Sequence, residues 1–304
     1  MISIPVTTLP VRRAKHDFYE HMGILLLDRL DEQAVNPRMN RFLDLIERHL
    51  PEILKGKPDR LITISNRLNP ILAQPGNADY AAAIEYIFNY KWFTQKTKER
   101  YNAYDLAAAL DINVCVYCNR NYTHTVISRG GRKITRPTFD HFFNKAAHPV
   151  LALSFYNLIP SCTICNSGVK HEASFMLGTH HHPYLDDYIN DFVFSYKPSD
   201  KARSGYEILV KPVGAKTTQT LKDLETELIY NSHTQELKEL LDMRYKFSDN
   251  YLSILHDKVL TGVRMSPAEL YRIAFGAEME TANFGQRPFS KFKNDLLKEL
   301  GIVK

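Results

Sequence analysis

The sequence has little of what secreted and membrane-spanning proteins usually carry. It has four cysteines in 304 residues, too few for a disulfide scaffold. No apolar run approaches the roughly 20 residues that are needed to cross a bilayer. The first ten residues lack the basic start and apolar stretch of a signal peptide. We therefore expect a soluble cytoplasmic protein that has no contact with a membrane.

Other absences narrow the function. The chain contains no Gly-x-x-x-x-Gly-Lys-Ser/Thr phosphate loop, so any dependence on a nucleotide would have to come from another chain. It also has no internal repeat and no low-complexity tract. Because 44% of the residues are hydrophobic and 11% are aromatic, the chain can bury a sizeable core and is expected to be globular.

The positive charge is concentrated in the middle of the chain. Between Lys91 and Glu172 there are 11 Lys and Arg residues against five Asp and Glu, whereas the rest of the chain has 28 against 29. A local excess of cations is what a polyanionic backbone would contact. For any single Lys or Arg, an ordinary solvated charge is the simpler interpretation.

Both ends of the chain show apolar residues at helical spacing. In the N-terminal half, helices are predicted over 16–33, 39–54, 59–73, 80–92 and 101–110. In the C-terminal part they are predicted over 221–230, 235–255 and 289–300. In addition, Ser266-Pro267-Ala268-Glu269 has the N-cap, the proline at the first helical position and the capping glutamate of a helix start.

Two short stretches alternate with β-favouring residues instead. A hairpin with a basic tip is predicted from 122–127 and 133–135 around Gly130-Gly131, and a second hairpin from 191–197 and 206–211. The sequence therefore predicts an α+β protein that is mainly helical. We expect a helical region over 1–110, a central module over 111–190, and a small β-hairpin followed by a helical region over 191–304.

All four cysteines lie in two Cys-x-x-Cys pairs, Cys115/Cys118 and Cys162/Cys165. Four thiolates in two such knuckles suit a closed, structural tetrahedral zinc site. The 43 residues between the knuckles exceed the roughly 15 to 20 of simple zinc ribbons, which leaves room for a catalytic module between them. An iron site, a redox role and four unrelated core cysteines are the alternatives.

Asp140 and His141 lie between the knuckles, near the end of a strand-like segment. A neutral imidazole can deprotonate water near pH 7, and a carboxylate beside it can hold a hard cation. Because adjacent strand residues face opposite sides, the two can share a site only where the strand ends or bends. Taken alone, an Asp-His pair is weak evidence for a catalytic site.

The order of these motifs between Val114 and Lys170 resembles that of the HNH (ββα-metal) endonuclease family in its zinc-stapled variant. The resemblance rests on Cys-x-x-Cys, Asp-His, Asn-Leu-x-Pro-x-Cys-x-x-Cys-Asn and a following Lys, and in particular on the segments 139–145 and 151–162. It covers about a fifth of the chain. Similar bacterial proteins include nuclease subunits of ATPase-linked phage-defence systems such as Septu.

The resemblance implies a role for each matching residue. His141 would be the general base, and Asp140 and Asn166 would be ligands of a single catalytic Mg²⁺ or Mn²⁺. Asn157 would hold the loop that carries His141. The two strands and the helix of the ββα module would fall at roughly 134–143, 156–161 and 163–172. Cleavage would leave a 5′-phosphate and a 3′-hydroxyl.

Six basic residues are predicted to contact the nucleic acid: Arg129, Arg132, Lys133, Arg136, Lys145 and Lys170. A surface lysine on the helix is an equally simple interpretation of Lys170. Among the histidines, His148 and the run His180 to His182 are interpreted as loop and turn residues, and His171 is an alternative ligand to Asn166.

The resemblance thus implies a DNA endonuclease of anti-phage defence whose cutting an ATPase partner can gate. An RNA-cleaving enzyme of the same fold, such as a tRNA-cleaving toxin, is one alternative, because the hydrolytic centre barely distinguishes the two sugars. A non-catalytic zinc-stapled binding module is the other.

Overall fold

Helices and small antiparallel hairpins make up the computed structural model, which describes residues 1–170, 173–200, 202, 205–246, 254, 258 and 265–303. The predicted α+β class, mainly helical, is confirmed. Among the described helices, none combines the length and the apolar character that a membrane span requires.

Six helices form the N-terminal region. They are α1 (Leu9–Asp31), α2 (Pro37–Lys55), α3 (Pro58–Leu72), α4 (Ala78–Ile87), α5 (Tyr90–Phe93) and α6 (Ala103–Leu110). The prediction of a single helix over 80–92 is wrong in one respect, because the helix is interrupted at Phe88 and Asn89. The Asn89 side chain accepts a hydrogen bond from the Trp92 N–H at 2.8 Å and so starts a new helix, as an N-cap asparagine does.

The central region holds two short antiparallel pairs. Strand β1 (Val126–Ile127) pairs with β2 (Lys133–Thr135), and β3 (Thr138–His141) pairs with β4 (Leu158–Ser161). The strand expected over 134–143 is therefore divided between two hairpins. Pro137 lies at the division, where its missing N–H cannot continue a ladder.

The second predicted hairpin is present as β5 (Phe192–Pro198) and β6 (Tyr206–Pro212). The helices that follow are α7 (Ala215–Asp223), α8 (Thr226–Asn231), α9 (Thr234–Lys246), α10 (Pro267–Phe275) and α11 (Ser290–Glu299). The helix predicted over 221–230 is divided at Glu225, whose φ of 47° is left-handed and interrupts a helix. The capping box at Ser266 and Glu269 is confirmed. The part of the helix predicted beyond Lys246 falls largely outside the described residues.

One continuous hydrophobic core runs through all three regions of the chain. Phe18 of α1 shows how the N-terminal helices reach the central module, since its buried ring meets those of Phe93 and Phe155 edge to face at 6.0 and 5.8 Å. The extended N-terminal segment adds a second tie, because the N–H of Ile2 donates to the Val116 carbonyl at 2.9 Å. The N-terminal region thus packs directly against the central module.

Candidate metal centre and hydrolytic site

Backbone hydrogen bonds shape the first cysteine knuckle. The N–H of Cys115 donates to the Asn121 carbonyl at 3.0 Å, and the N–H of Asn119 donates to the Cys115 carbonyl at 2.8 Å. Asn119 has a φ of 50°, a left-handed conformation that asparagine tolerates better than most residues. Its buried side chain donates to the Phe284 carbonyl and accepts from the Lys291 N–H, so the C-terminal region holds the turn in place.

The two knuckles meet. The sulfur atoms of Cys115, Cys118, Cys162 and Cys165 all lie within 4.8 Å of one another, and all four residues are buried. Over the described ranges, no other group of three or more His, Cys, Asp or Glu residues is arranged to hold a metal ion. Four sulfur ligands at this spacing could hold a metal ion such as zinc.

Cys162 is in an environment that stabilises a thiolate. Hydrogen bonds from the neighbouring thiols, with Cys115 as the largest contribution, lower the pKa of Cys162, and Asn121 contributes in the same direction. Two N–H groups donate hydrogen bonds to the Cys162 sulfur. The Asn121 side-chain amide lies 3.3 Å from it, and the Cys165 backbone nitrogen lies 3.4 Å from it. The thiolate is the form that binds metal.

Asp140 is buried on β3, and both of its carboxylate oxygens have partners. Its Oδ2 accepts a hydrogen bond from the Tyr117 hydroxyl at 2.6 Å. The Lys170 Nζ lies 2.9 Å from Oδ2 and 3.2 Å from Oδ1. Burial raises the pKa of Asp140, while the charge of Lys170 and the Tyr117 hydrogen bond oppose that shift. The interpretation of Lys170 as a surface lysine is wrong, because its side chain is only 4% exposed.

His141 ends β3 with its ring held in one orientation. Its Nε2 lies 3.0 Å from the Ala152 carbonyl oxygen, which can only accept, so Nε2 carries the proton. The other ring nitrogen, Nδ1, makes no hydrogen bond among the described residues. Burial lowers the pKa of His141 to about 4, and the Ala152 hydrogen bond opposes this shift. The imidazole is therefore neutral at pH 7 with its lone pair on Nδ1.

Asn157 is completely buried beneath the loop that follows His141. Its Oδ1 accepts from the Phe143 N–H at 2.7 Å, and its Nδ2 donates to the carbonyls of Phe143 and Leu151 at 3.2 and 2.9 Å. All three groups belong to the segment between β3 and β4. The side chain thus clamps both ends of the loop that supplies the Ala152 carbonyl to His141.

Asn166 follows Cys165 within the segment Ile164–Lys170, which is a π-helix. A helix was expected over 163–172, and the wider winding differs from that expectation. Such segments are rare and often occur at functional sites. Asn166 is half-buried, and its side chain makes no hydrogen bond within the described part of the chain. His171 lies outside the described residues.

Asp140 and His141 point to different neighbours, as strand alternation requires. The carboxylate faces Tyr117 and Lys170, whereas the imidazole packs edge-on against Tyr90 with ring centroids 4.6 Å apart. Lys170 links the two residues, since its Nζ also donates to the His141 carbonyl at 2.7 Å. Sequence reasoning missed Tyr117 and Tyr90. The position of Tyr117 inside the first knuckle was the only available signal.

The predicted nucleic-acid contacts fall into different environments. Arg129, Arg132 and Lys145 are exposed, and the Lys145 Nζ lies 5.2 Å from the centre of the Tyr90 ring that flanks His141. Lys133 is buried, and its Nζ lies 2.9 Å from the Asp105 carboxylate. Its charge is therefore already neutralised within the protein.

Arg136 is half-buried between aromatic rings, with its guanidinium 5.4 Å from the centre of Tyr104. Two further cations reach the basic hairpin, although sequence reasoning did not name them. The exposed Lys96 and Lys98 donate to the carbonyls of Ile134 and Gly130. Because they come from a separate loop, their approach could not be read from local spacing.

The histidine run near residue 181 does not converge on one point. His180 Nε2 lies 2.8 Å from Asp223 Oδ2, and His181 Nε2 lies 2.9 Å from the Thr217 hydroxyl. His182 is completely buried, with its ring centroid 4.3 Å from that of Phe142. Each histidine thus has a separate packing role.

Comparisons with protein-family models, with curated proteins and with solved structures find no match for this chain.

We expect Cys165→Ser to lose the metal bound by the four sulfurs, because three thiolates leave a tetrahedral shell open. The purified wild-type protein should contain about one zinc ion per chain, and the variant close to none, with a lower melting temperature. Elemental analysis and thermal unfolding measure both quantities. The control is Thr163→Ala, an exposed position between the same cysteines. Wild-type protein that folds without any metal would contradict the assignment.

Asn157→Ala should lower the free energy of unfolding by about 2–4 kcal/mol, because it removes the side-chain partners of the buried Phe143 N–H and carbonyl and one of the two hydrogen bonds to the Leu151 carbonyl. Asn166→Ala is the matched control and should change it by less than about 0.5 kcal/mol, since that side chain makes no hydrogen bond among the described residues. Urea unfolding without added divalent metal measures both variants. Equal effects of the two substitutions would show that the clamp does not stabilise the loop.

His182 should make the protein less stable at acidic pH. Burial lowers its pKa to about 3, so between about pH 6.5 and 3 the unfolded chain binds a proton that the folded protein does not. Stability is therefore lost as the pH falls through this range.

Between pH 7 and pH 5, His182 alone should cost the folded protein about 2 kcal/mol. In His182→Phe, the difference in unfolding free energy between these two pH values should shrink by about that amount, as measured by urea unfolding. The exposed His16→Phe serves as the control. A pH dependence in His182→Phe equal to that of the wild type would rule out this contribution.

Proposed function

We propose that this chain is a metal-dependent endonuclease of the HNH type that hydrolyses phosphodiester bonds in DNA, with His141 as the general base. The observation that carries the proposal is the state of the His141 ring. Nε2 donates to the Ala152 carbonyl, so the neutral imidazole has its lone pair on Nδ1, which has no hydrogen-bond partner among the described residues. This is the arrangement that a group accepting a proton from water requires.

The Ala152 carbonyl favours His141 as a base in two ways. It fixes the tautomer, so the lone pair stays on Nδ1, and it stabilises the imidazolium that forms when Nδ1 takes a proton. A pKa of about 4 makes a weak base. A phosphate group bound beside the ring would raise that pKa towards neutrality, because an anion favours the charged form.

Asn157 acts as a positioning residue in this proposal. By holding both ends of the loop between Phe143 and Leu151, it keeps the Ala152 carbonyl in line with Nε2. Catalytic geometry depends on such supporting contacts, because a displacement of about 1 Å is costly to the rate.

The oxygen donors of Asp140 and Asn166 match the preference of a hard divalent cation, and Mg²⁺ or Mn²⁺ is the proposed catalytic ion. When bound, such an ion would supply Lewis-acid polarisation of the phosphate and charge stabilisation of the leaving oxygen. The four cysteines differ in chemistry, because soft sulfur ligands suit the proposed structural zinc. In this proposal, the two donor sets would select different metals.

Exposed cations at the basic hairpin and near Tyr90 support a polyanionic substrate. Arg129 and Arg132 at the hairpin tip, Lys96 and Lys98 beside it, and Lys145 near Tyr90 have no carboxylate within 4.0 Å among the described residues. Unneutralised charges of this kind contact phosphates without reading sequence. Defence against phage and gating by an ATPase partner stay predictions from the resemblance.

A nicking assay tests the catalytic assignment. Wild-type protein should convert supercoiled plasmid to nicked or linear DNA with Mg²⁺ and not with EDTA. His141→Ala should be slower by about 100-fold or more, because general bases contribute on that order. The exposed His16→Ala is the matched control and should cut like the wild type.

A parallel incubation with total RNA separates the two nucleic acids. Cleavage of RNA alone would replace DNA with RNA as the substrate while keeping the catalytic residues. Equal cutting by wild type and His141→Ala would remove His141 from the mechanism. Absence of cutting on both substrates would favour a non-catalytic binding module.

A further inference from the structure

We infer that the Lys170 ammonium competes with a divalent cation for Asp140, so that the ion enters the hydrolytic site only by displacing this lysine. The inference rests on the proposed function in one respect, namely that Asp140 is a metal ligand. In the metal-free protein, Lys170 is the counterion of the Asp140 carboxylate. It must leave this carboxylate before the cation binds there.

The contacts of Lys170 show that it is held firmly in this position. Its Nζ lies 2.9 and 3.2 Å from the two Asp140 oxygens and 2.7 Å from the His141 carbonyl oxygen. The Phe175 ring covers it, with the ring centre 4.8 Å from Nζ. An ammonium has three protons to donate, and this surrounding supplies three oxygen acceptors.

The carboxylate has little capacity left for another cation. Two oxygens offer about four acceptor sites, and the Tyr117 hydroxyl with the two Lys170 contacts uses three of them. A divalent ion bound to either oxygen would also lie within a few ångströms of a buried positive charge. Two cations this close in a site of low dielectric repel each other strongly.

The same lysine explains how Asp140 remains buried without a metal. An unpaired carboxylate at this depth would be strongly destabilising, and an ammonium partner offsets part of that cost. When a divalent ion replaces the ammonium, the carboxylate keeps a positive partner. The released lysine has a flexible four-carbon stem and can then turn to a phosphate oxygen of the substrate. Metal and nucleic acid are thereby expected to bind with positive cooperativity.

Mn²⁺ binding tests the competition without relying on catalysis. In zinc-loaded protein, free Mn²⁺ is measured by electron paramagnetic resonance during a titration. Lys170→Met should bind Mn²⁺ at least tenfold more tightly than the wild type, and adding Asp140→Asn should abolish the gain. Lys91→Met removes an exposed lysine and should leave the affinity within twofold of the wild type. Unchanged or weaker binding by Lys170→Met overturns the inference, as does a gain that survives Asp140→Asn.

A second measurement uses the wild-type protein and does not depend on the folding of a variant. Lysine side chains are acylated and the labelled peptides are measured by mass spectrometry. Lys170 should resist acylation in zinc-loaded protein without Mn²⁺ and should be acylated several-fold faster with saturating Mn²⁺. Equal protection of Lys170 in both conditions overturns the displacement.

The exchange and the proposed nuclease activity can fail separately. Tighter Mn²⁺ binding by Lys170→Met, together with a wild-type protein that cuts no nucleic acid, would support the exchange and contradict the nuclease activity. Cutting with no change in Mn²⁺ affinity would remove the exchange alone.

Discussion

The convergence of four cysteine sulfurs is the constraint on which the central module depends. The sulfur atoms of two turns separated by 43 residues lie within 4.8 Å of one another, and the β3–β4 hairpin lies in the loop between these turns. Closing a loop of this length costs conformational entropy that short hairpins of four paired residues cannot offset by themselves. A metal bound by all four sulfurs would stabilise the closed form directly, since binding energy at such a site becomes folding energy.

The same constraint sets the electrostatics around Asp140, the proposed metal ligand. Tyr117 belongs to the first knuckle, and Lys170 ends the π-helical segment that contains Cys165 of the second knuckle. Both reach Asp140, so the two ends of the cysteine cluster supply the two partners of one buried carboxylate. Loss of either partner would leave a buried charge with incomplete compensation, which is far more costly than loss of an exposed ion pair. Loss of the cysteine cluster is therefore expected to disturb Asp140 and its two partners as well.

Local patterns predicted the helices, both flanking hairpins and the pairing of the cysteine knuckles, because period and spacing are short-range properties of the sequence. The breaks at Asn89 and Glu225 were missed, since a single N-cap or left-handed residue hardly changes an apolar period over ten or more positions. The burial of Lys133 and Lys170 could not be predicted either. A lysine looks the same in a sequence whether its partner is water or a carboxylate about 30 residues away, as Asp105 and Asp140 are. Only the tertiary fold decides which charges are paired.

Under the proposed function, Cys165 and Asn166 would keep two metal chemistries apart within one short segment. They are neighbours in sequence, yet one contributes soft sulfur to the buried cluster and the other is proposed to offer a hard amide oxygen. Consecutive residues of a helical segment point in different directions, so a single turn can serve two sites without mixing their ligands. A zinc ion then has little to gain at the oxygen donors, and Mg²⁺ has little affinity for the thiolates. The Lys170 ammonium would in addition occupy the Asp140 carboxylate until a divalent ion displaces it. The structural metal could then bind first and the catalytic metal later.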